Sequence, residues 1–206
     1  MTVTEPNSRP PNAIRRVKAA ERDSELREKL LQAGAMLFAE RGTDAVSVAD
    51  LIGAAGVSRA TFYGFFANKT ELAAAILAPV FDAGIEALSA LESRAPRDSA
   101  NGLVSVYLNL WKQHREALLL SANIDADVFA AIQSRHDAFN AYLLDVLRVI
   151  ESGGLLRNDS AEETLRVIAS TAIPLLRAYS HRDRLASIYR ESVLGLILKD
   201  ESRWRA

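Results

Sequence analysis

Apolar residues recur three and four positions apart over long stretches of this chain, and nowhere do they keep the strict alternation of a half-buried strand. That texture predicts an all-α fold of about nine helices. Leu26, Leu30, Ala33, Leu37 and Phe38 form a stripe that predicts a first helix over residues 24–41, stopped by Gly42. Val48, Leu51, Ile52 and Ala55 share one face of a short helix over 48–55, with Ser47 at its N-cap and Gly56 as the left-handed residue that ends it. Val57 plugs the turn and Ser58 caps a third helix to Phe66, in which Phe62 and Phe66 lie one turn apart and pack inward. Asn68 and Glu71 have the spacing of a capping box and open a fourth helix over 69–91, in which Pro79 predicts a kink near 75–79.

The second half follows the same pattern. Residues 93–102 (SRAPRDSANG) read as a loop. Val106, Tyr107, Leu110 and Trp111 mark a helix over 103–114, and a short apolar helix follows over 115–122. A long one over 125–152 keeps helical spacing through Val128, Ile132, Leu143, Leu147 and Ile150 until Gly153 and Gly154 end it. Ser160 and Glu163 set a second capping box for a helix reaching residue 179, with Pro174 inside it, and residues 184–198 form the last helix. The final two helices carry more apolar surface than one buried face each requires. Either they are ordinary bundle core or they pack against a second copy of themselves. Residues 1–23 are polar and carry Arg9, Arg15, Arg16, Lys18 and Arg22, so they read as a flexible basic arm: a solvated tail, or a segment that lies along nucleic-acid phosphates. The expected organisation is therefore an arm over 1–23, a small helical head over 24–75 and a larger helical body over 76–206.

Composition narrows the function. With 206 residues, 49% apolar and 25% charged, the chain has the make-up of a soluble globular protein able to bury a substantial core. The absence of cysteine excludes disulfides, thiolate metal sites and a thiol nucleophile. No run approaches the roughly 18 apolar residues needed to span a bilayer, so no membrane partner and a cytoplasmic location are expected. A net charge of −1 excludes a global electrostatic grip on nucleic acid, and any such affinity must reside in a local patch. His114, His136 and His181 stand at no metal-ligand spacing, and neither a nucleophile elbow nor a phosphate loop is present. No enzymatic activity, cofactor or metal is expected.

Two short helices about a glycine turn, with an arginine near the exposed start of the second, form a helix-turn-helix pattern. The run Phe38-x3-Gly42-x4-Ser47-Val48-x2-Leu51-x3-Ala55-Gly56-Val57-Ser58-x2-Thr61-Phe62-Tyr63-x2-Phe66-x2-Lys69-x2-Leu72 resembles the DNA-binding domain of the TetR family of bacterial transcriptional regulators. The resemblance covers about 26–77, a quarter of the chain. In that setting the start of the third helix enters the major groove, where Arg59 can bond guanine O6 and N7, Ala60 can touch a thymine methyl, and Thr61 can reach a base edge or phosphate. The resemblance assigns Tyr63 to a phosphate through its hydroxyl. Lys69, at a helix start, is a further phosphate candidate, as is Thr43. Ser47 and Ser58 are equally phosphate contacts or plain caps. Three positions depart from the family pattern: Gly64 and Phe65 replace larger or hydrogen-bonding side chains, and Ile52 replaces a small one. Gly64 is expected at the base-reading surface, where backbone can approach DNA closely.

The resemblance further implies a homodimer through the last two long helices, an inverted-repeat operator, and release by a small effector. Tyr107, Trp111, Phe129 and Tyr142, with Asn123 and Thr171 as polar anchors, are either bundle core or the wall of the effector chamber. The scarcity of inward charge points to a neutral, lipophilic effector. The alternative is a helix-turn-helix protein of architectural or partner-binding type with no effector.

Overall fold

The computed structural model describes residues 11–122 and 124–199. Among these residues there are eight helices and no strand: α1 (Pro11–Arg41), α2 (Val48–Ala55), α3 (Arg59–Phe65), α4 (Lys69–Ser89), α5 (Pro96–Ser121), α6 (Ala126–Ser152), α7 (Ala161–Tyr179) and α8 (Leu185–Ile197). At His114 the backbone of α5 leaves helical geometry (φ −137°, ψ 39°), which divides it into the two segments expected on either side of that residue.

The head is α1–α3 closed by the start of α4. Leu30 and Phe38 of α1, Val46, Leu51 of α2, Phe62 and Phe66 of α3, and Leu72 of α4 are all buried and make its core. Local chemistry fixes the chain path between them. Ser47 Oγ accepts from the Asp50 N–H while the Asp50 carboxylate accepts from the Ser47 N–H at 2.9 Å, so α2 starts from a reciprocal cap. Gly56 ends α2 at φ 63°, a conformation that costs a glycine little.

Several details differ from expectation. α1 begins at Pro11 instead of residue 24, because residues 12–23 contain no helix breaker and proline suits a first helical position. The flexible arm therefore does not extend to residue 23; its first ten residues lie outside those described. Likewise α5 starts at Pro96, turning most of the expected loop into helix, with buried Ser99 donating from Oγ to the Leu91 carbonyl at 3.2 Å. α4 runs through Pro79 as one helix. At the two later boxes the cap accepts the forward bond, Asn68 Oδ1 from the Glu71 N–H at 2.8 Å and Ser160 Oγ from the Glu163 N–H at 3.2 Å, while the Glu71 carboxylate accepts from the Ala67 N–H, one residue before the cap, at 2.6 Å.

α4 is the spine of the molecule. It packs on α1 at its start and most extensively on α6 along its length. At 21 residues it is long and apolar enough to cross a membrane, contrary to the expectation that no segment would be; Leu72, Ala73, Ile76, Leu77, Val80, Phe81, Gly84 and Leu88 are instead buried against neighbouring helices. The body is α5–α8 around that spine, with Leu103, Leu120, Leu143, Leu147, Leu176 and Tyr189 in its core.

Candidate nucleic-acid interface

The surface of α3 is set by its two inward phenylalanines. With Phe62 and Phe66 buried, Arg59, Ala60, Tyr63 and Gly64 are left exposed. Tyr63 is 48% exposed and stands edge-on to Phe62 at 5.3 Å, which holds its ring upright. Arg59 Cζ lies 5.9 Å from the Tyr63 ring centroid, one turn away, so the cation and the phenol share one outward ridge. A Cβ built on Gly64 would meet nothing within 4 Å. No packing inside the chain requires a glycine there.

The remaining expected contacts divide. Ser58 Oγ accepts from the Thr61 N–H at 3.0 Å and lies 2.8 Å from Thr61 Oγ1, so Ser58 is the cap of α3 and the Thr61 hydroxyl is drawn back toward it. Ser47 is taken up by its cap with Asp50, whose carboxyl is held below the usual range by the hydrogen bonds from Ser47. Thr43 is not at the surface. It is 3% exposed, and its hydroxyl donates to Asp125 Oδ2 at 2.6 Å, joining the α1–α2 loop to the start of α6. Lys69 Nζ donates to the carbonyls of Thr43 at 2.7 Å, Val46 at 3.2 Å and Asp44 at 3.4 Å, so its charge gathers that same loop instead of standing free for a phosphate. Asp125 caps α6 through the Val128 N–H at 2.8 Å. Partial burial works to raise its pKa, but hydrogen bonds from Thr43 and from the Val128 and Asp127 N–H groups, with the charge of Lys69, outweigh that and hold the carboxyl below its ordinary value. These tertiary roles had no signature in local spacing.

Inside the body, α4, α5, α6 and α7 enclose a mostly apolar cavity of about 300 Å³. Val80 and Phe81 of α4, Tyr107 and Leu110 of α5, His136, Phe139 and Asn140 of α6, and Ile168 and Ile173 of α7 line it. Phe139 meets Phe81 at 6.0 Å and Tyr107 at 6.4 Å, both edge-on. Burial drives the Tyr107 phenol far above its usual pKa, so it keeps its proton. Asn140 Nδ2 lies 3.3 Å from His136 Nε2 on the same wall.

Of the expected chamber residues, Tyr107 lines the cavity. Trp111 faces a separate groove between α5 and α8, beneath Arg115 at 5.1 Å. Phe129 is 37% exposed, with its ring edge-on to His136 at 5.1 Å. Tyr142 is half-buried away from the cavity, Thr171 Oγ1 donates to the Val167 carbonyl at 2.6 Å within its own helix, and Asn123 lies outside the described residues. Phe81, His136, Phe139 and Asn140 take their place. His136 and Asn140 stand one turn apart on α6, a spacing that also suits plain surface. No cluster of potential metal ligands occurs among the described residues.

Residues 30–76 match the family model described as bacterial regulatory proteins, tetR family. The head of this chain thus carries the TetR-family DNA-binding pattern. A stretch of 49 residues is 41% identical to the uncharacterized HTH-type transcriptional regulator YvdT of Bacillus subtilis (strain 168), spanning 24% of this chain and 25% of that relative's length. The likeness to solved TetR-type structures is far longer. The ketosteroid transcriptional regulator KstR2 of Mycobacterium tuberculosis superimposes with a TM-score of 0.68 at 25% identity, over 84% of this chain and 95% of that one. The SmeT–triclosan complex does so at 0.62 and 20% identity, over 86% and 93%. TetR-type architecture thus extends through the body, well past the matching head.

Proposed function

We propose that this chain is a TetR-family, ligand-responsive repressor that binds an inverted-repeat operator as a homodimer and is released by a small neutral effector. One observation carries the reading: α4, which lines the cavity, also closes the head that carries α3, by packing on α1. Phe81 of α4 lines the cavity, and a Cβ on Gly84 of α4 would stand 2.5 Å from Phe139 Cε2 on the opposite wall. The same helix begins by closing the head, where Lys69 gathers the α1–α2 loop. Occupancy that moves Phe139 thus bears on α4, and a change in α4 re-aims α3.

Arg59 reads a base and Tyr63 bonds a phosphate, with Ala60 and Gly64 allowing close approach. The open space around Gly64 supports that role, because nothing within the chain explains a residue that costs a helix roughly 0.5–1 kcal/mol relative to alanine. Half-exposed Leu165 and Leu175 of α7 and Leu194 of α8, with exposed Leu196, supply apolar surface for the second copy. The cavity favours a compact apolar effector with one hydrogen-bond acceptor for Tyr107. A triclosan complex of a protein of this fold is consistent with such a chamber.

Selection of bound sequences from random duplex DNA, repeated with Arg59→Ala, tests the reading. An inverted repeat that loses one base preference in each half-site with the variant supports it. Uniform weakening would assign Arg59 to phosphate, and recovery of no preferred sequence by the parent protein would end it.

A further inference from the structure

We propose that the N-terminal part of α1 is a rigid cationic prong that grips DNA phosphates beside the segment read by α3. The inference rests on the reading of α3 as the DNA-facing helix. Residues 15–25 of α1 are helical and exposed, and from residue 15 onward the first buried one is Leu30. This part of α1 adds nothing to the core, so its role must lie in what it presents to solvent. At about 100° per residue, Arg15, Lys18 and Arg22 fall within roughly 60° of one another and form a single stripe. None of the three is in an ion pair among the described residues. Glu21 and Asp23 lie roughly 100° to either side of Arg22, and Glu25 stands one turn beyond Arg22 on the stripe's own side, so the cationic part is the stretch from Arg15 to Arg22.

A second observation orients the stripe. A shallow groove between α1 and α3 is lined by Asp23 and Leu26 on one side and by Thr61, Gly64 and Phe65 on the other. Leu26 is one turn beyond Arg22 on nearly the same face. The cationic stripe therefore runs down α1 to the flank of the recognition helix, at the level of exposed Gly64. From Asp23 back to Pro11 the helix extends about 18 Å at 1.5 Å per residue, enough to reach several neighbouring phosphates of one strand. A chain of net charge −1 has no global field to hold DNA, so a preformed cationic helix at this place supplies a local one.

The test is the salt dependence of binding, measured on the selected operator and on an unrelated duplex. Replacing Arg15, Lys18 and Arg22 together by alanine should lower the slope of log affinity against log salt by about 0.9 for each phosphate released, hence roughly 2–3 per bound chain. Arg16→Ala removes the same charge from another face and should change it far less. Arg15→Lys with Arg22→Lys should keep the parent slope. Trimming about five base pairs from each flank of the duplex should bring parent and triple variant together. An unchanged slope in the triple variant, or an equal loss per charge from Arg16→Ala, overturns the proposal. If the parent protein selects no operator, the regulator reading fails, while the slopes on unrelated duplex still decide the prong.

Discussion

Gly84→Ala probes the link between cavity and spine. The added Cβ would lie 2.5 Å from Phe139 Cε2 and 2.9 Å from Cδ2, whereas ordinary contact starts near 3.4 Å, so the ring must retreat by about 0.9 Å. The space available to it is the cavity, whose volume is only about 300 Å³. Alanine in place of glycine favours the helix by roughly 0.5–1 kcal/mol, and overpacking costs roughly 1–3 kcal/mol. The expected balance is a loss of about 0–2 kcal/mol in urea unfolding. Affinity for a neutral apolar probe such as N-phenyl-1-naphthylamine should fall several-fold in fluorescence titration, as the ring takes the probe's place. In the Phe139→Ala background the same change should become stabilising, giving a coupling above about 0.5 kcal/mol in the double-mutant cycle. A Gly84→Ala protein that is about 1 kcal/mol more stable, with undiminished probe binding, would refute the seating of Phe139 on α4.

Other outcomes follow from the polar contacts. Thr43→Val removes the hydroxyl that joins head to body at 2.6 Å from Asp125; because Asp125 is partly open to water and keeps its Val128 bond, the loss should be about 1 kcal/mol by urea unfolding, and an Asp125→Ala cycle should show the two changes are not additive. The Asp125 pKa is lowered on folding, so its contribution is fully present above the ordinary carboxyl value of about 3.9 and is lost as pH falls through the lower folded value. Unfolding free energies of parent and Thr43→Val should therefore converge only below about pH 4, and convergence already at pH 6 would contradict the assignment. The Tyr189 hydroxyl is buried with no partner, so Tyr189→Phe should raise stability by about 1 kcal/mol in the same assay.

The head was legible in the sequence because its determinants are local. Ser47, Gly56 and Ser58 announce helix ends, and Phe62 and Phe66 at one-turn spacing declare the buried side of α3. The extension of α1 was missed for a physical reason: a helix that buries nothing has no apolar stripe, and its polarity is that of a tail. Thr43 and Lys69 have surface-type sequences around them, and only the approach of α6, 82 residues away from Thr43, draws that threonine inward. Periodicity located the buried aromatic faces of the body but not the void among them. Tyr107 and Trp111 sit one turn apart on α5, yet one faces the cavity and the other a groove toward α8.

The central claim, two recognition helices held by one body at the spacing of the groove, is tested most directly by moving the half-sites. Equilibrium affinity should be compared between the selected inverted repeat and the same repeat with five base pairs inserted at its centre. Half-sites one turn apart, about 34–36 Å, place both α3 helices on one side of the duplex, and a half-turn insertion sends one to the opposite side. The account predicts a loss of at least 100-fold, roughly 2.7 kcal/mol, with the two-chain complex replaced by weak single-chain binding. Equal affinity for the two duplexes would contradict it.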